Sequence, residues 1–238
     1  LRRPGFNGLA QEYAAPFSEW ARERRLSGVA ALIEPWFTGF GYGYLDQVPA
    51  ALVLKYVTLF RFPVCELLDV GYQGLWERVA ASLDVRLGAH IVGVARDEAG
   101  VTVTLASGPE EHLRFDALIV TCPPDDALAI LDVSAEEREL LSRPVFNDYR
   151  VIAAVVDGAP RARYGFIQRH LHRDHAGEVI FWYRRWLDRD LVLYYSLPRP
   201  GTPLDETEAR VRDTVARMGG RVVRVHTRHT WRYSPHVD

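Results

Sequence analysis

Apolar residues recur along this chain with two periods, near four and near two, and the switches between them mark its elements. Tyr13, Phe17 and Trp20 with Ala14 and Ala21 keep helical spacing, and Ser27-Gly28 is the expected end of that helix. A second helix is predicted over Val29 to Phe37. A third is predicted from near Pro49 to Phe60, with Leu52, Tyr56 and Leu59 on one face, and Arg61-Phe62-Pro63 breaks it. Beyond Gly71 to Gly74, read as a flexible entry, Leu75, Val79, Ala80 and Leu83 restore helical spacing. The period then drops to two. Strands are predicted at Val85 to Leu87, His90 to Arg96 and Val101 to Leu105, with the Asp97-Glu98-Ala99-Gly100 turn joining the last two. Ala117 to Thr121 is apolar on both faces, the pattern of a strand inside a covered sheet.

After Pro124 the helical period returns over Asp125 to Leu131. Ser134 and Glu137 have capping-box spacing for a further helix. Strands are predicted at Tyr149 to Val156, Tyr164 to Gln168, Glu178 to Arg184 and Leu191 to Ser196. A helix over Thr207 to Met218 buries Val211 and Val215 and stops at Gly219-Gly220, before a last strand from Arg221 to Trp231. The expected class is mixed α/β, a mixed sheet flanked by helices with an inserted helix and β-meander.

Composition narrows this modestly. With 238 residues, 48% hydrophobic and 25% charged, the chain has length for a sizeable core. A net charge of −2 gives no overall reason to expect nucleic acid or an anionic membrane. No apolar run is long enough to span a bilayer, and no signal peptide is visible. Cys65 and Cys122 make no disulfide framework and are expected in apolar surroundings, which suits a cytoplasmic location.

The order G-x-x-x-L helix, V-R-L, β-meander and D-A-L-I-V-T-C-P-P, spanning Gly71 to Pro124, resembles the middle of the flavin-containing amine oxidase and phytoene-desaturase-like superfamily. The resemblance implies three segments. Residues 1–70 are the helical part of a substrate domain, 71–124 belong to the FAD domain, and 125–238 form the mixed-sheet part of the substrate domain. It also implies FAD as cofactor and hydride transfer from a small, largely apolar substrate. No G-x-G-x-x-G turn follows a strand, and Leu1-Arg2-Arg3-Pro4-Gly5 reads like the inside of a longer protein. The expectation is therefore an internal portion that neither retains FAD nor turns over substrate alone, and that self-associates through exposed strand edges.

On the same resemblance, Ile91, Cys122 and Pro123 are the cofactor-side residues. Tyr56, Arg61, Phe62, Tyr72, Gln73 and Trp231 are the residues that surround a small-molecule substrate. Many amine oxidases place a lysine after the P-P turn. Phe146-Asn147-Asp148-Tyr149 has none, which favours a desaturase or dehydrogenase. No side chain is assigned a catalytic role. Two other classes stay open: a cofactor-free binding module, and a metal-dependent hydrolase using His170, His172 and His175. The second is weak, because these histidines match no metal-ligand spacing and their charged neighbours mark a solvated loop.

Overall fold

The computed structural model describes residues 11–59, 68–106, 111–158 and 160–237. These fall into two units, one holding the residues before 64 and from Val145 onward, the other the residues between.

The first unit opens with three helices, α1 (Phe17–Glu23), α2 (Ser27–Thr38) and α3 (Ala50–Leu59). Phe17, Trp20, Phe37, Val48, Val53 and Tyr56 form their common core. Ser27-Gly28 does not end a helix here. Arg25, at φ 56°, makes the break, and Ser27 begins α2.

The second unit is α4 (Gly71–Ala80), the meander β1 (Ile91–Asp97), β2 (Gly100–Leu105) and β3 (Glu111–Phe115), then α5 (Pro124–Ala127) and α6 (Ala135–Leu141). Both strand pairs are antiparallel. Gly100 sits at φ 140°, and a Cβ there would lie 2.4 Å from the Phe115 carbonyl oxygen, so the β1–β2 turn requires glycine. Val101, Val103 and Leu105 line the inner face of β2 and pack with Val94, Leu113, Ile130 and Leu131.

Several expectations fail in this unit. Glu111–Phe115 is a strand that the apolar pattern does not predict: only Leu113 and Phe115 of its five residues are apolar, and its register with β2 defines it. Val85 to Leu87 forms no strand, since Gly88 at φ 69° turns the chain immediately after it. Ala117 to Thr121 forms no strand and its backbone pairs with nothing among the described residues, and Ile119 is 87% exposed. Tyr72 and Gln73 lie in the first turns of α4 rather than in a loop, and α4 has no buried residue. Residues 125–144 pack with the meander. Val94 donates to the Ile130 carbonyl at 2.7 Å, and Asp132 donates back to Val94 at 3.1 Å.

Arg96 holds that packing. Its guanidinium meets Asp132 at 3.0 Å and Glu137 at 2.8 Å, while Ser134 and Glu137 form the predicted capping box. The Arg96 guanidinium, then the Ser134 backbone N–H, lower the Glu137 carboxyl to about 2, and Asp132 is lowered chiefly by the Arg96 backbone N–H. Depressed carboxylates stabilise above their unfolded values near 4 and lose that contribution as pH falls through the folded value. The Glu137 carboxyl is thus expected to titrate near pH 2 by carboxyl-carbon NMR, with the box intact at pH 4. A midpoint near 4 would show that Arg96 does not engage it in solution.

The first unit then resumes with β4 (Pro144–Asp157), β5 (Tyr164–Phe166), β6 (Val179–Tyr183), β7 (Leu191–Ser196), α7 (Leu204–Arg217) and β8 (Arg221–Val237). They form one sheet in the order β5-β6-β7-β4-β8. Ile152, Ala154, Val156, Val192, Tyr194 and Trp182 face α7, where Val211 and Val215 complete a core. No helix among the described residues is long and apolar enough to cross a membrane.

Candidate functional site

The face of the sheet away from α7 is aromatic. Alternation along each strand places Phe166 of β5, Phe181 of β6, Tyr195 of β7 and Tyr149 of β4 on this side. Their rings touch in sequence across the four strands, at 4.9 Å (Phe166–Phe181), 5.1 Å (Phe181–Tyr195) and 5.3 Å (Tyr195–Tyr149). Trp36 and Phe40, from the end of α2, cap the row at 5.3 Å from Phe166 and 5.6 Å from Phe181. Two hydroxyls fix the loop above it. Tyr149 donates to the Gly39 carbonyl at 2.6 Å, and Tyr44 donates to the Leu197 carbonyl at 3.1 Å. Burial, then the neighbouring Tyr183, pushes the Tyr195 phenol up to about 12, so it stays a protonated donor at neutral pH.

The row continues towards β8. Arg228 reaches Glu208 of α7 at 2.7 Å, and the Arg232 guanidinium lies over the Phe146 ring. Those residues mark the α7 side, so His229 and Trp231 face the aromatic side. They contact each other at 4.1 Å, and Trp231 is 54% exposed. It lies inside β8 rather than at the strand's end. Asn147 shares the face of Tyr149. Its Nδ2 is buried and has no hydrogen-bond partner among the described residues, beside the backbone of Gly43. A buried donor without an acceptor at such a place fits the polar end of a ligand.

The predicted residues are placed unevenly. Tyr56 is 7% exposed, packs on Tyr42 at 4.8 Å and Phe37 at 5.2 Å, and donates to the Trp36 carbonyl. It belongs to the common core of α1, α2 and α3. Arg61 and Phe62 lie outside the described residues. Tyr72 is 76% exposed, and Gln73 hydrogen-bonds to Glu77 along α4. Tyr149, Phe181 and Tyr195, which make the aromatic row, were not singled out. The alternation in Phe181-Trp182-Tyr183 and Tyr194-Tyr195 was the available signal.

FAD is tested against what this chain offers. Ile91 is half exposed at the start of β1, and Pro123 precedes α5. Cys122 is exposed, not in apolar surroundings as expected, and Cys65 lies outside the described residues. The backbone of Ala117 to Thr121 has no backbone partner among the described residues. These groups fit the edge of a dinucleotide site as backbone donors and acceptors. The glycine cluster Gly39 to Gly43 follows helix α2, not a strand, and fits no pyrophosphate turn.

The histidine loop is not one solvated group. His170 is 3% exposed and its Nδ1 lies 2.8 Å from the Val179 carbonyl oxygen, while burial lowers its pKa. His172 and Asp174 are exposed and pair at 3.1 Å. No metal-binding group of three acidic, histidine or cysteine residues occurs among the described residues.

No curated protein matches the chain. Among solved structures, it is similar to a conjugated-linoleic-acid-producing fatty acid isomerase from P. acnes, at 27% identity and a TM-score of 0.84. The match covers 98% of this chain and 57% of that one. A putrescine oxidase double mutant aligns at 14% identity and TM-score 0.69, over 94% of this chain and 55% of its own. An oxidoreductase from Methanosarcina mazei aligns at 10% and 0.70, over 94% and 57%. The chain thus spans a little more than half the length of these proteins, and the latter two likenesses show the fold alone. The family model for flavin-containing amine oxidoreductases matches residues 11–237, and the chain belongs to that family.

Proposed function

We propose that this chain supplies the floor and helical wall of the substrate cavity in an FAD-dependent oxidoreductase whose substrate is a fatty acyl chain. The aromatic row across four strands carries the reading. A continuous apolar floor suits an extended, flexible chain, and it excludes water from the reacting carbon without offering a nucleophile. Its few polar groups, the Tyr195 hydroxyl and the Asn147 amide, suit a single polar end group. The fatty acid isomerase supports this class, with 27% identity over 98% of this chain.

FAD, when bound, supplies the acceptor for a hydride leaving a substrate C–H bond. The residues of this chain bind and orient that substrate. Ile91, Cys122 and Pro123 meet the cofactor through backbone, while Trp231 and the helical wall backed by Tyr56 close the cavity. Arg61, Phe62, Tyr72 and Gln73 are further lining candidates. Phe146, Asn147, Asp148 and Tyr149 put no lysine at the start of β4, so the reading favours attack on an alkyl or allylic carbon over amine oxidation. The free thiol of Cys122 suits a cytoplasmic setting.

The test uses the complete protein, an unsaturated fatty acid and anaerobic single-turnover measurement of flavin absorbance. Trp231→Ala and Tyr72→Ala are each expected to slow reduction by roughly tenfold, about 1.4 kcal/mol in the barrier, with FAD content unchanged. Unchanged reduction in both would remove these aromatics from the site. Reduction by amines but not by fatty acids would overturn the substrate class.

A second measurement concerns the cofactor side. In the isolated chain, amides of Ala117 to Thr121 are expected to exchange with solvent far faster than those of Val151 to Val156, which β7 pairs in register. Equal protection in a proven monomer would contradict this.

A further inference from the structure

The outer side of α2 carries no charge. Its exposed residues are Ser27, Gly28, Val29, Ala31, Leu32 and Trp36, with Leu32 75% exposed, and Glu34 is its only ionisable side chain. A helix apolar on both its inner and outer faces is normally covered. Trp36 meets the exposed Tyr164 of β5 at a ring distance of 6.2 Å, which joins this stripe to the β5–β6 end of the sheet.

That end is a cationic, aromatic tip. The loop after β6 runs Arg184-Arg185-Trp186-Leu187-Asp188-Arg189, and Trp186 and Leu187 point outward, 38% and 48% exposed. The guanidiniums of Arg185 and Arg189 lie over the Trp186 ring at 5.1 and 5.2 Å. Arg161 and Arg163 flank it, and Arg163 accepts from the Arg184 backbone N–H at 2.7 Å. The tip is held in shape by Arg184, buried and donating to the carbonyls of Pro160, Leu187 and Arg189. Elsewhere in the chain Arg96, Arg210, Arg212 and Arg228 all face carboxylates. Here Arg161, Arg163, Arg184 and Arg189 have none within ion-pair distance among the described residues, although Asp188 and Asp190 are close in sequence. The net charge of −2 conceals this local excess of positive charge.

We infer that the tip and the outer stripe of α2 together dock on an anionic lipid surface. Arg161, Arg163 and Arg189, which meet no carboxylate among the described residues, beside an outward Trp-Leu pair match the two requirements of interfacial binding, apolar insertion and attraction to anionic headgroups. Arginine stems bury against the apolar layer while their heads stay at headgroup level. The inference rests on the fatty acyl reading, since docking would place the enzyme where such chains are found.

The test is co-sedimentation of the complete protein with phosphatidylcholine vesicles, with and without phosphatidylglycerol. Binding is expected only with the anionic lipid and is expected to weaken as salt rises. Arg161→Gln with Arg189→Gln should lower the partition coefficient at least roughly tenfold, given about 1 kcal/mol for each arginine near the surface. Leu32→Ser with Leu187→Ser should lower it on vesicles of either salt condition. Flavin reduction by a dissolved, short unsaturated acid should be unchanged in all of these. That readout separates the two ideas, because lost reduction by any fatty acid strikes the substrate reading alone. Equal binding to neutral vesicles, or anionic binding untouched by the variants, would overturn the docking surface. So would absent vesicle binding together with a dimer, seen by light scattering, that the variants convert to monomer. In that case the patch serves a second copy of the chain.

Discussion

Gly39→Val is expected to destabilise the protein by about 3 kcal/mol, seen as a lowered urea midpoint with an unchanged slope. Gly39 follows α2 with φ −61°, which any residue adopts, so backbone freedom is not the reason. Space is. A Cβ there would stand 2.2 Å from the Pro35 carbonyl oxygen and 2.5 Å from the Phe166 ring. The carbonyl cannot yield, because Gly39 donates to it at 3.0 Å in closing the last turn of the helix. Phe166 cannot yield freely either, held between Trp36 and Phe181. The Gly39 carbonyl also receives the Tyr149 hydroxyl, so a shift at this point loosens the aromatic floor. Pairing the change with Phe166→Leu should restore part of the loss, as expected for residues in contact. A midpoint within about 0.5 kcal/mol of the parent would show that the loop moves aside at no cost.

Arg150→Ala is expected to cost a similar amount, about 3 kcal/mol by thermal or denaturant unfolding. Arg150 is 6% exposed on the α7 side of β4, and it meets no carboxylate among the described residues. Its guanidinium instead donates to the Pro203 carbonyl at 2.9 Å and the Thr207 hydroxyl at 2.8 Å, and also to the Thr202 carbonyl. These acceptors belong to the start of α7, whose first turn has no side-chain cap. Removing the arginine leaves them without donors and opens a cavity beneath the helix. Arg150→Met refills most of that cavity without donating, so it should recover only part of the loss. If methionine matched the parent, the hydrogen bonds would contribute nothing net and the residue would act by packing alone.

Much of the fold was legible because its signals are local. Leu191 to Ser196 is an apolar, aromatic run and is a strand over those very residues, and Ser134 with Glu137 forms the capping box its spacing promised. The misses share a cause. Glu111–Phe115 becomes a strand through its register with β2, and Ala117 to Thr121 fails as one for want of a described neighbour. Strand identity depends on partners that the sequence does not adjoin. The substrate side was half legible for the same reason. Trp231 was singled out from the resemblance, whereas the row from Phe166 to Tyr149 exists only once four strands lie side by side. His170 looked like its charged neighbours, and its burial follows from the bond to Val179, which its spacing did not announce.

The division of the first unit by the second has a consequence for the order of synthesis. The core of α1, α2 and α3 is made of residues close in sequence and can assemble as soon as it emerges. The loop from Gly39 to Tyr44 cannot finish. Its anchors are Tyr149 and the Leu197 carbonyl, 110 and 153 residues further along. At about 5–20 residues per second, Tyr44 waits roughly 8–30 s for Leu197 to be made. During that interval Phe40 and Tyr44 lack the sheet they pack on, while Tyr42 already has Phe37 and Tyr56. This aromatic loop is therefore a segment that a chaperone can engage before the sheet is made, and slow translation across residues 64–144 would prolong its exposure.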